Sequence, residues 1–340
     1  MKMIIKNKRI LKGVIVGTMA ASIFVGGIVG LSACSEDKNI VKENQITTSE
    51  KVTHNNIKTE NNQLDFYSIK YGDKTYLTID EEDMLDIIEK SMKEVDEEYV
   101  KNGNKTVFNS QDKEYSQFSK YDILGLLYTE SSLRLLEVND KNKGSFNVQN
   151  YSRFHGQDAQ GVVYNGPGMM NKEAVEYIVN NDRLVVNNFK EHDHIKINNK
   201  QVKISFENLN PYDYVIQSEA KTEKEIKKAL EECLSLNTKC IYIYLNRLVK
   251  DNVKAGTHDV ELNILKKYGE FKNLSTEEKQ IAFAMIAYNN GPSVTRNKML
   301  EGKLFEKDKE GNYLINVKYA SKVRGYSQEY YNTYNSMYAK

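Results

Sequence analysis

One glutamate of this chain, Glu130, continues an otherwise apolar pattern. The segment from Ser119 to Leu136 is expected to be a helix, because its large aliphatic residues recur every three or four positions. These residues are Ile123, Leu124, Leu126, Leu127, Leu133 and Leu136. Loss of hydration raises the pKa of a carboxyl group in such a stripe, so that it can hold a proton near neutral pH and deliver it to a leaving group. The alternative is an ordinary surface glutamate paired with Arg134, four residues later.

A second segment ends an apolar helix with groups that could contact a ligand. Residues 281–287 are apolar throughout, and Tyr288 and Asn289 follow just before a turn at Gly291. A phenol and an amide are thereby placed at a helix end, although the same residues are also an ordinary way to stop a helix. Neither segment defines a site when it is taken alone.

The sequence patterns around these side chains predict an α+β fold that is mostly α. Alternation of apolar and polar residues predicts β-hairpins over 65–79 and 184–206, the second with its turn at Asn198-Asn199. Helical periodicity covers 80–100, 171–179, 221–250 (with a break considered near Asn237), 259–268, 275–288 and 321–338. Ser119 with Asp122, and Ser275 with Glu278, have the spacing of capping boxes. The tyrosines of 321–338 are typical of a packing surface, and 137–167 is polar and glycine-rich.

The N-terminus predicts export. Residues 1–12 are basic, 13–30 are apolar or small, and Leu31-Ser32-Ala33-Cys34 follows, as in a secretory signal peptide. The last four residues resemble a bacterial lipobox, which implies removal of 1–33 and a lipid on Cys34 at the extracytoplasmic face of the cell membrane. An uncleaved membrane anchor is the alternative, since the run is just long enough to span a bilayer. Residues 34–64 are polar and aperiodic, which indicates a flexible tether to a folded part over 65–340.

The amino-acid composition limits the classes of partner and ligand that the protein is expected to bind. The formal net charge of +1 argues against nucleic acid. Besides Cys34 the chain has only Cys233 and Cys240, which lie too far apart on one helix for a disulfide and have no zinc-type Cys/His spacing around them. They are expected to be buried thiols, and no metal site is predicted. With 23 tyrosines and no tryptophan, any aromatic platform for a sugar must be Tyr or Phe.

Four elements, in this order, resemble motifs of the soluble lytic transglycosylases, a goose-lysozyme-like family that acts on peptidoglycan. The helix ending in Glu130-Ser131 resembles the first motif, and 237–245 resembles the element of Asn-Ile followed by Tyr-Leu. The segment 287–291, Ala-Tyr-Asn-Asn-Gly, resembles the motif Ala-Tyr-Asn-x-Gly. The segment 319–323, Tyr-Ala-Ser-Lys-Val, resembles the last motif, Tyr-Val-x-x-Val.

The family's glycine-rich motif, Gly-Leu-Met-Gln, has two candidate positions. Gln149 lies at nearly the family's distance from Glu130, but Phe146 and Asn147 replace Gly-Leu. The segment 168–171, Gly-Met-Met-Asn, matches better locally but requires an insertion of roughly twenty residues. We favour Gln149 as the substrate-facing amide. The hairpin and charged helix around 183–236 exceed what the family usually carries and are expected to be an insertion.

The resemblance implies a lysozyme-like domain, with a small β-hairpin and loop lobe beside the active-site cleft, and a reaction that needs one carboxylate. Glu130 would protonate the bond between N-acetylmuramic acid and N-acetylglucosamine, and would then act as base while the muramoyl C6 hydroxyl attacks. The product has a 1,6-anhydro end, and no metal or organic cofactor takes part. Tyr288 and Tyr319 would flank Glu130, while Asn289 and Ser131 would support the neighbouring backbone.

Two other functions fit the same residues. A hydrolytic lysozyme would need a second carboxylate, for which Asp140 and Asp158 are candidates. A non-catalytic glycan-binding or structural lipoprotein of the cell envelope would explain the unclear Gly-Leu-Met-Gln motif, but it has no need of a buried acid. We therefore expect a membrane-anchored enzyme whose partner is the glycan strand of peptidoglycan.

Overall fold

A computed structural model describes residues 64–101, 118–139, 147–158, 161–181, 193–254 and 263–338. The predicted signal peptide, Cys34, residues 34–63 of the tether and Asp140 lie outside these ranges. The described part is mostly helical with small antiparallel sheets, which confirms the predicted α+β class. Within these ranges, no helix has the length and apolarity needed to cross a membrane.

The described strands form three antiparallel sheets. The largest has the order β1 (Phe66–Tyr71), β2 (Lys74–Ile79), β3 (Leu136–Val138) and β4 (Tyr151–Arg153). The smaller sheets pair β5 (Gly156–Gln157) with β6 (Val163–Tyr164), and β7 (His194–Ile197) with β8 (Lys200–Lys203). The first predicted hairpin is confirmed as β1–β2. The second is confirmed from residue 193 onward, and its turn residues Asn198 and Asn199 both have the positive φ that a tight hairpin turn requires.

Several of the described helices pack against one long helix. The described helices are α1 (Glu81–Lys101), α2 (Lys120–Ser131), α3 (Lys172–Asn181), α4 (Pro211–Gln217), α5 (Glu223–Lys254), α6 (Gly269–Lys272), α7 (Thr276–Asn290), α8 (Pro292–Leu300) and α9 (Lys318–Tyr338). The middle of α5 is buried on all sides, against α1, α3, α4 and α7. Both of its cysteines are free and buried, as predicted. The two predicted capping boxes are present at the starts of α2 and α7.

The end of α2 differs from its prediction. The sequence pattern extends the helix to Leu136, whereas α2 ends at Ser131 and Leu136 belongs to β3. The chain leaves the helix because Ser132 and Leu133 take the left-handed conformation, and the amide of Leu135 then donates to the carbonyl of Leu77 in β2. The leucines after Ser131 are still buried, but in a strand, and apolar spacing alone cannot make that distinction.

Two further helix predictions need correction. α5 is continuous at Asn237, because the buried amide of that residue donates to the carbonyls of Cys233 in its own helix and of Leu209. The expected insertion 183–236 consequently ends inside α5, at the fully buried Leu236. Of the predicted helix 259–268, the structure describes a helical 263–265 followed by a turn.

α9 packs along α2 and fixes the helix that carries Glu130. The tyrosines of α9 form this surface, as predicted, with the Tyr128 ring centre 5.0 Å from that of Tyr326 and 5.8 Å from that of Tyr330. The phenols of Tyr330 and Tyr334 donate to the carboxylate of Glu81 at the start of α1. A Cβ atom on Gly125 of α2 would lie 2.7 Å from the carbonyl oxygen of Val323, so the two backbones meet closely at this point.

Candidate active site

Glu130 lies in the last turn of α2. The apolar face of this helix is completely buried, so the backbone that carries the carboxyl group is held by the core. Ser131 is also fully buried, and its hydroxyl donates to the carbonyl of Leu127 at 3.1 Å, which directs it back onto its own helix. Glu130 itself remains partly exposed. The acid therefore stands at the end of a fixed helix and still reaches solvent.

The turn that follows Glu130 has an unusual backbone. Ser132 and Leu133 have φ values of 53° and 57°, and side chains other than glycine adopt this region at a cost of about 1 kcal/mol each. The conformation is held by the hydroxyl of Thr78, which donates to the carbonyl of Leu133 at 2.9 Å. Such backbone strain persists where the surrounding structure enforces it, often beside functional groups. Here it ends the helix immediately after the acid.

The phenol of Tyr319 donates a hydrogen bond to Oε1 of Glu130. Tyr319 is 5% exposed and lies in the first turn of α9. Burial raises the pKa of Glu130 from an ordinary 4.5 to about 7, while the phenol and the positive charge of Lys322 act in the opposite direction. Arg134, the alternative partner, stacks on aromatic rings instead. Glu130 is thus an acid that exchanges its proton near neutral pH.

Tyr288 connects this acid to a glycine loop. Its phenol donates to the carbonyl of Gly168 at 2.7 Å, and burial together with the nearby charge of Glu130 raises the pKa of Tyr288. A Cβ atom at Gly168 would lie 2.3 Å from a methyl group of Ile241 and 3.2 Å from the Tyr288 phenol. Only glycine fits there, because the buried side chain of Ile241 and the Tyr288 phenol fill the space that a Cβ atom would take.

Buried asparagines hold the glycine loop against α5. Gly166 has a φ of 73°, and a Cβ atom on it would lie 1.9 Å from Oδ1 of Asn237. The amide of Asn165 donates to the carbonyl of Phe206 at 2.9 Å, and the amide of Asn210 donates to Oδ1 of Asn165 at 3.2 Å. Asn237 belongs to one of the four motifs that carry the resemblance, and its position explains why an asparagine is found there.

Tyr164 is a residue of the site that the sequence did not indicate. Burial raises the pKa of its phenol, and the charges of Asp158 and Glu130 add to the effect. The phenol donates to Asp158 at 3.2 Å, and Asp158 also accepts from the backbone amide of Val162 at 2.8 Å. Asn171 caps α3 by accepting from the amide of Ala174 and lies within hydrogen-bonding reach of Tyr164. A lone tyrosine in a two-residue strand carries no pattern that could have identified it.

The structure separates the two candidates for the glycine-rich motif. Gln149 is exposed in a short 3-10 helix over 148–150. Among the described residues, its side-chain amide forms no hydrogen bond with Glu130 or with the three tyrosines around it. The segment 168–171 lies beside Tyr288 and Tyr164 instead. Our preference for Gln149 therefore lacks structural support. The intervening residues 147–164 include β4, β5 and β6, which lengthen the path from Glu130 to the loop.

Two further residues, Asn289 and Lys322, lie near the site. Oδ1 of Asn289 accepts a hydrogen bond from the amide of Asn316 at 3.1 Å, so it joins the end of α7 to the chain before α9. Lys322 is exposed one turn after Tyr319, and its charge reaches Glu130. The helical spacing of Lys322 from Tyr319 is a signal from which the sequence could have predicted it.

In the described ranges, no group of three or more His, Cys, Asp or Glu side chains is placed to hold a metal ion. Comparison of the chain with protein-family models, curated proteins and solved structures finds no match. The chemistry of the site therefore has to be inferred from its own residues. They comprise one carboxyl group, three buried or half-buried phenols, one exposed amine and a buried glycine loop.

Proposed function

We propose that this protein is a peptidoglycan lytic transglycosylase with a lysozyme-like domain, tethered to the outer face of the cell membrane by a lipid on Cys34. The observation that carries the proposal is the placement of Glu130 at the end of a buried helix, where its carboxyl group accepts a hydrogen bond from the phenol of Tyr319 and burial raises its pKa to about 7. Such a group gives up a proton to a leaving oxygen and takes one back in the same pH range.

The mechanism uses Glu130 twice. Because Tyr319 binds Oε1, Oε2 is the oxygen free to protonate the glycosidic oxygen between N-acetylmuramic acid and N-acetylglucosamine. The glucosamine leaves with that proton on its 4-hydroxyl group. The muramoyl C6 hydroxyl then attacks C1 and returns its own proton to Glu130, which closes a 1,6-anhydro ring without consuming water.

One observation favours a hydrolase as the second candidate. Hydrolysis needs a carboxylate that positions water. Asp158 accepts a hydrogen bond from the phenol of Tyr164, and the charge of Glu130 acts on that same phenol. Against this role, the carboxylate of Asp158 already accepts hydrogen bonds from the phenol of Tyr164 and from the backbone amide of Val162. The bond from Val162 closes the turn that begins at Asp158. We therefore rank the transglycosylase first.

The test is release of fragments from purified peptidoglycan by the full mature chain, with the products identified by mass. The wild type should release fragments whose muramoyl ends lack one water. Glu130→Gln, which keeps the shape but has no acidic proton, should slow release by at least about a hundredfold. Equal release by both proteins would remove Glu130 from the mechanism and overturn the proposal.

Asp158→Asn distinguishes the two enzymes. A transglycosylase should keep its anhydro products and most of its rate in this variant. Products that carry the added water, together with loss of release in Asp158→Asn, would instead establish the hydrolase. If the wild type binds peptidoglycan but releases nothing, the protein is a binding module of the envelope.

A further inference from the structure

Three asparagines fasten the end of α7 to the start of α9. Oδ1 of Asn290 accepts a hydrogen bond from the backbone amide of Asn316 at 2.9 Å, and Oδ1 of Asn289 accepts from the side-chain amide of Asn316 at 3.1 Å. Asn290 is 1% exposed, and its own amide donates to the carbonyl of Ile286, inside α7, at 2.9 Å. We call Asn289, Asn290 and Asn316 the asparagine clamp.

The clamp joins two elements that carry phenols next to Glu130. Tyr288 is the residue before Asn289 in α7, and Tyr319 lies in the first turn of α9. The backbone amide of Tyr319 donates to the carbonyl of Asn316 at 3.2 Å, and the phenol of Tyr319 donates to Glu130. In this chain of hydrogen bonds, Tyr319 is therefore the one residue between Asn316 and the acid.

The clamp supports the first turn of α9, which the packing of that helix on α2 supports least. Further along, the backbone of α2 at Gly125 closely approaches the carbonyl of Val323. The first turn of a helix frays more readily than its middle, because its amides have no acceptor within the helix. Asn316 supplies an acceptor to Tyr319 and is itself bonded twice to the end of α7. Loss of the clamp is therefore expected to loosen Tyr319 before the rest of α9.

We propose that Asn316 is a positioning residue for the reaction, which acts through the asparagine clamp to hold the phenol of Tyr319 in the orientation that binds Oε1 of Glu130. This inference rests on the function proposed for Glu130, and Asn316 lies outside the four sequence motifs. The hydrogen bond from Tyr319 opposes the rise in the pKa of Glu130 that burial causes. A phenol that is loosened by loss of the clamp should therefore leave the pKa of Glu130 higher.

Among the described residues, three other ionisable groups interact electrostatically with Glu130. They are Lys322 of α9, Tyr288 of α7 and Tyr164 of β6. Burial raises the pKa values of both phenols, so Tyr288 and Tyr164 carry no charge near pH 7. An effect of Asn316 that passes through Tyr319 can be separated from all three groups, because only that effect disappears when the Tyr319 phenol is removed.

The test measures the pKa of Glu130 directly, by NMR of the full mature chain labelled with carbon-13 at the glutamate carboxyl groups. The signal of Glu130 is identified by its loss in Glu130→Gln. Asn316→Ala should raise the pKa of Glu130 by about half a pH unit, and it should have no further effect in a Tyr319→Phe background. Asn289→Ala removes the same hydrogen bond from the α7 side, so it should match Asn316→Ala, and the double variant should exceed neither.

The same variants are assayed for release of glycan fragments, each with a thermal melting curve. In Asn316→Ala the alkaline limb of the pH–rate profile should move to higher pH by the same half unit or so, and the rate at the optimum should fall about threefold. Asn312→Ala is the matched control, because Asn312 lies in the same loop before α9 and its amide donates to Asp308 at 3.4 Å. It should change neither the pKa of Glu130 nor the rate.

Three results would overturn the positioning role of Asn316, whatever the melting temperatures. They are an unchanged pKa of Glu130 in Asn316→Ala, a lowered one, and a rise that persists without the phenol of Tyr319. Cleavage by the wild type together with any of these results leaves the proposed function intact. A pKa that responds to the clamp, in a wild-type protein that releases nothing, supports the chain of hydrogen bonds and overturns the proposed function instead.

Discussion

Two of the regions that the structure describes hold ionisable groups away from solvent, and they treat the charge in opposite ways. Between α1 and α5, Lys239 is 1% exposed, and its ammonium group is bonded to the carboxylate of Glu94 and the carbonyl of Lys196. At the end of α2, Glu130 is held by a phenol, which brings no opposite charge. The lysine is neutralised by a carboxylate in direct contact, whereas Glu130 forms no ion pair with any described residue, although the charge of Lys322 acts on it. The first arrangement stabilises a fold, and the second can perform acid–base chemistry.

A shifted pKa does not by itself distinguish these regions. Burial raises the pKa of Asp96 in α1 to about 6, and this carboxylate accepts from the phenol of Tyr242 at 3.2 Å, much as Glu130 accepts from Tyr319. The difference lies in what surrounds the acid. Asp96 faces the side chains of two packed helices, whereas Glu130 is bonded to the phenol of Tyr319 and also influences the phenols of Tyr288 and Tyr164. We infer function from the acid and this group of phenols together.

Lys239→Met should have the largest effect on stability. It leaves the carbonyl of Lys196 without its donor and removes the partner of Glu94, which remains partly exposed and can regain water. We expect a loss of about 3 kcal/mol in the free energy of unfolding, measured in urea. The rate of release per folded molecule should stay the same. Lys93→Met, at an exposed position of α1, is the control and should change neither quantity. A loss of rate without a loss of stability would contradict the comparison.

The comparison also shows what the sequence could reveal. The sequence predicted Glu130, the capping boxes and the tyrosine face of α9, because helical periodicity and capping depend only on residues that are close together in the chain. The end of α2 was not predicted, since the apolar spacing continues past Ser131 and the deciding partner, Leu77, comes from a strand far away in the chain. The position of the segment 168–171 beside Tyr288 could not be predicted for the same reason. Its place depends on Asn237 and Tyr288, which are distant in sequence.

Glu130→Gln should have the next largest effect on stability, and the size of that effect should depend on pH. The folded state raises the pKa of Glu130 from 4.5 to about 7, so the folded state binds the proton more tightly than the unfolded state does. Stability from this group is complete below about pH 4.5 and is lost as the pH rises to about 7. We therefore expect the variant to be about 2 kcal/mol more stable than the wild type at pH 8, and equal to it near pH 4.5.

Asp96→Asn is the matched control for that measurement. The pKa of Asp96 is also raised, from 3.8 to about 6, so this variant too should gain stability over the wild type as the pH rises through that interval. Only Glu130→Gln should also abolish release of glycan fragments. If Asp96→Asn abolished release as well, the distinction between the two regions would be wrong.

Tyr319→Phe should have the smallest effect in free energy, and it tests the phenol that holds the acid. The hydrogen bond from Tyr319 opposes the rise in the pKa of Glu130, so its removal should raise that pKa further above 7. The alkaline limb of the pH–rate profile should therefore move to higher pH, and the rate at the optimum should fall about tenfold because the carboxyl group is no longer oriented. Tyr334→Phe is the control, since Tyr334 is a buried tyrosine of the same helix whose phenol donates to Glu81. A limb that moves to lower pH in Tyr319→Phe, or moves equally in both variants, would show that Tyr319 does not set the proton affinity of Glu130.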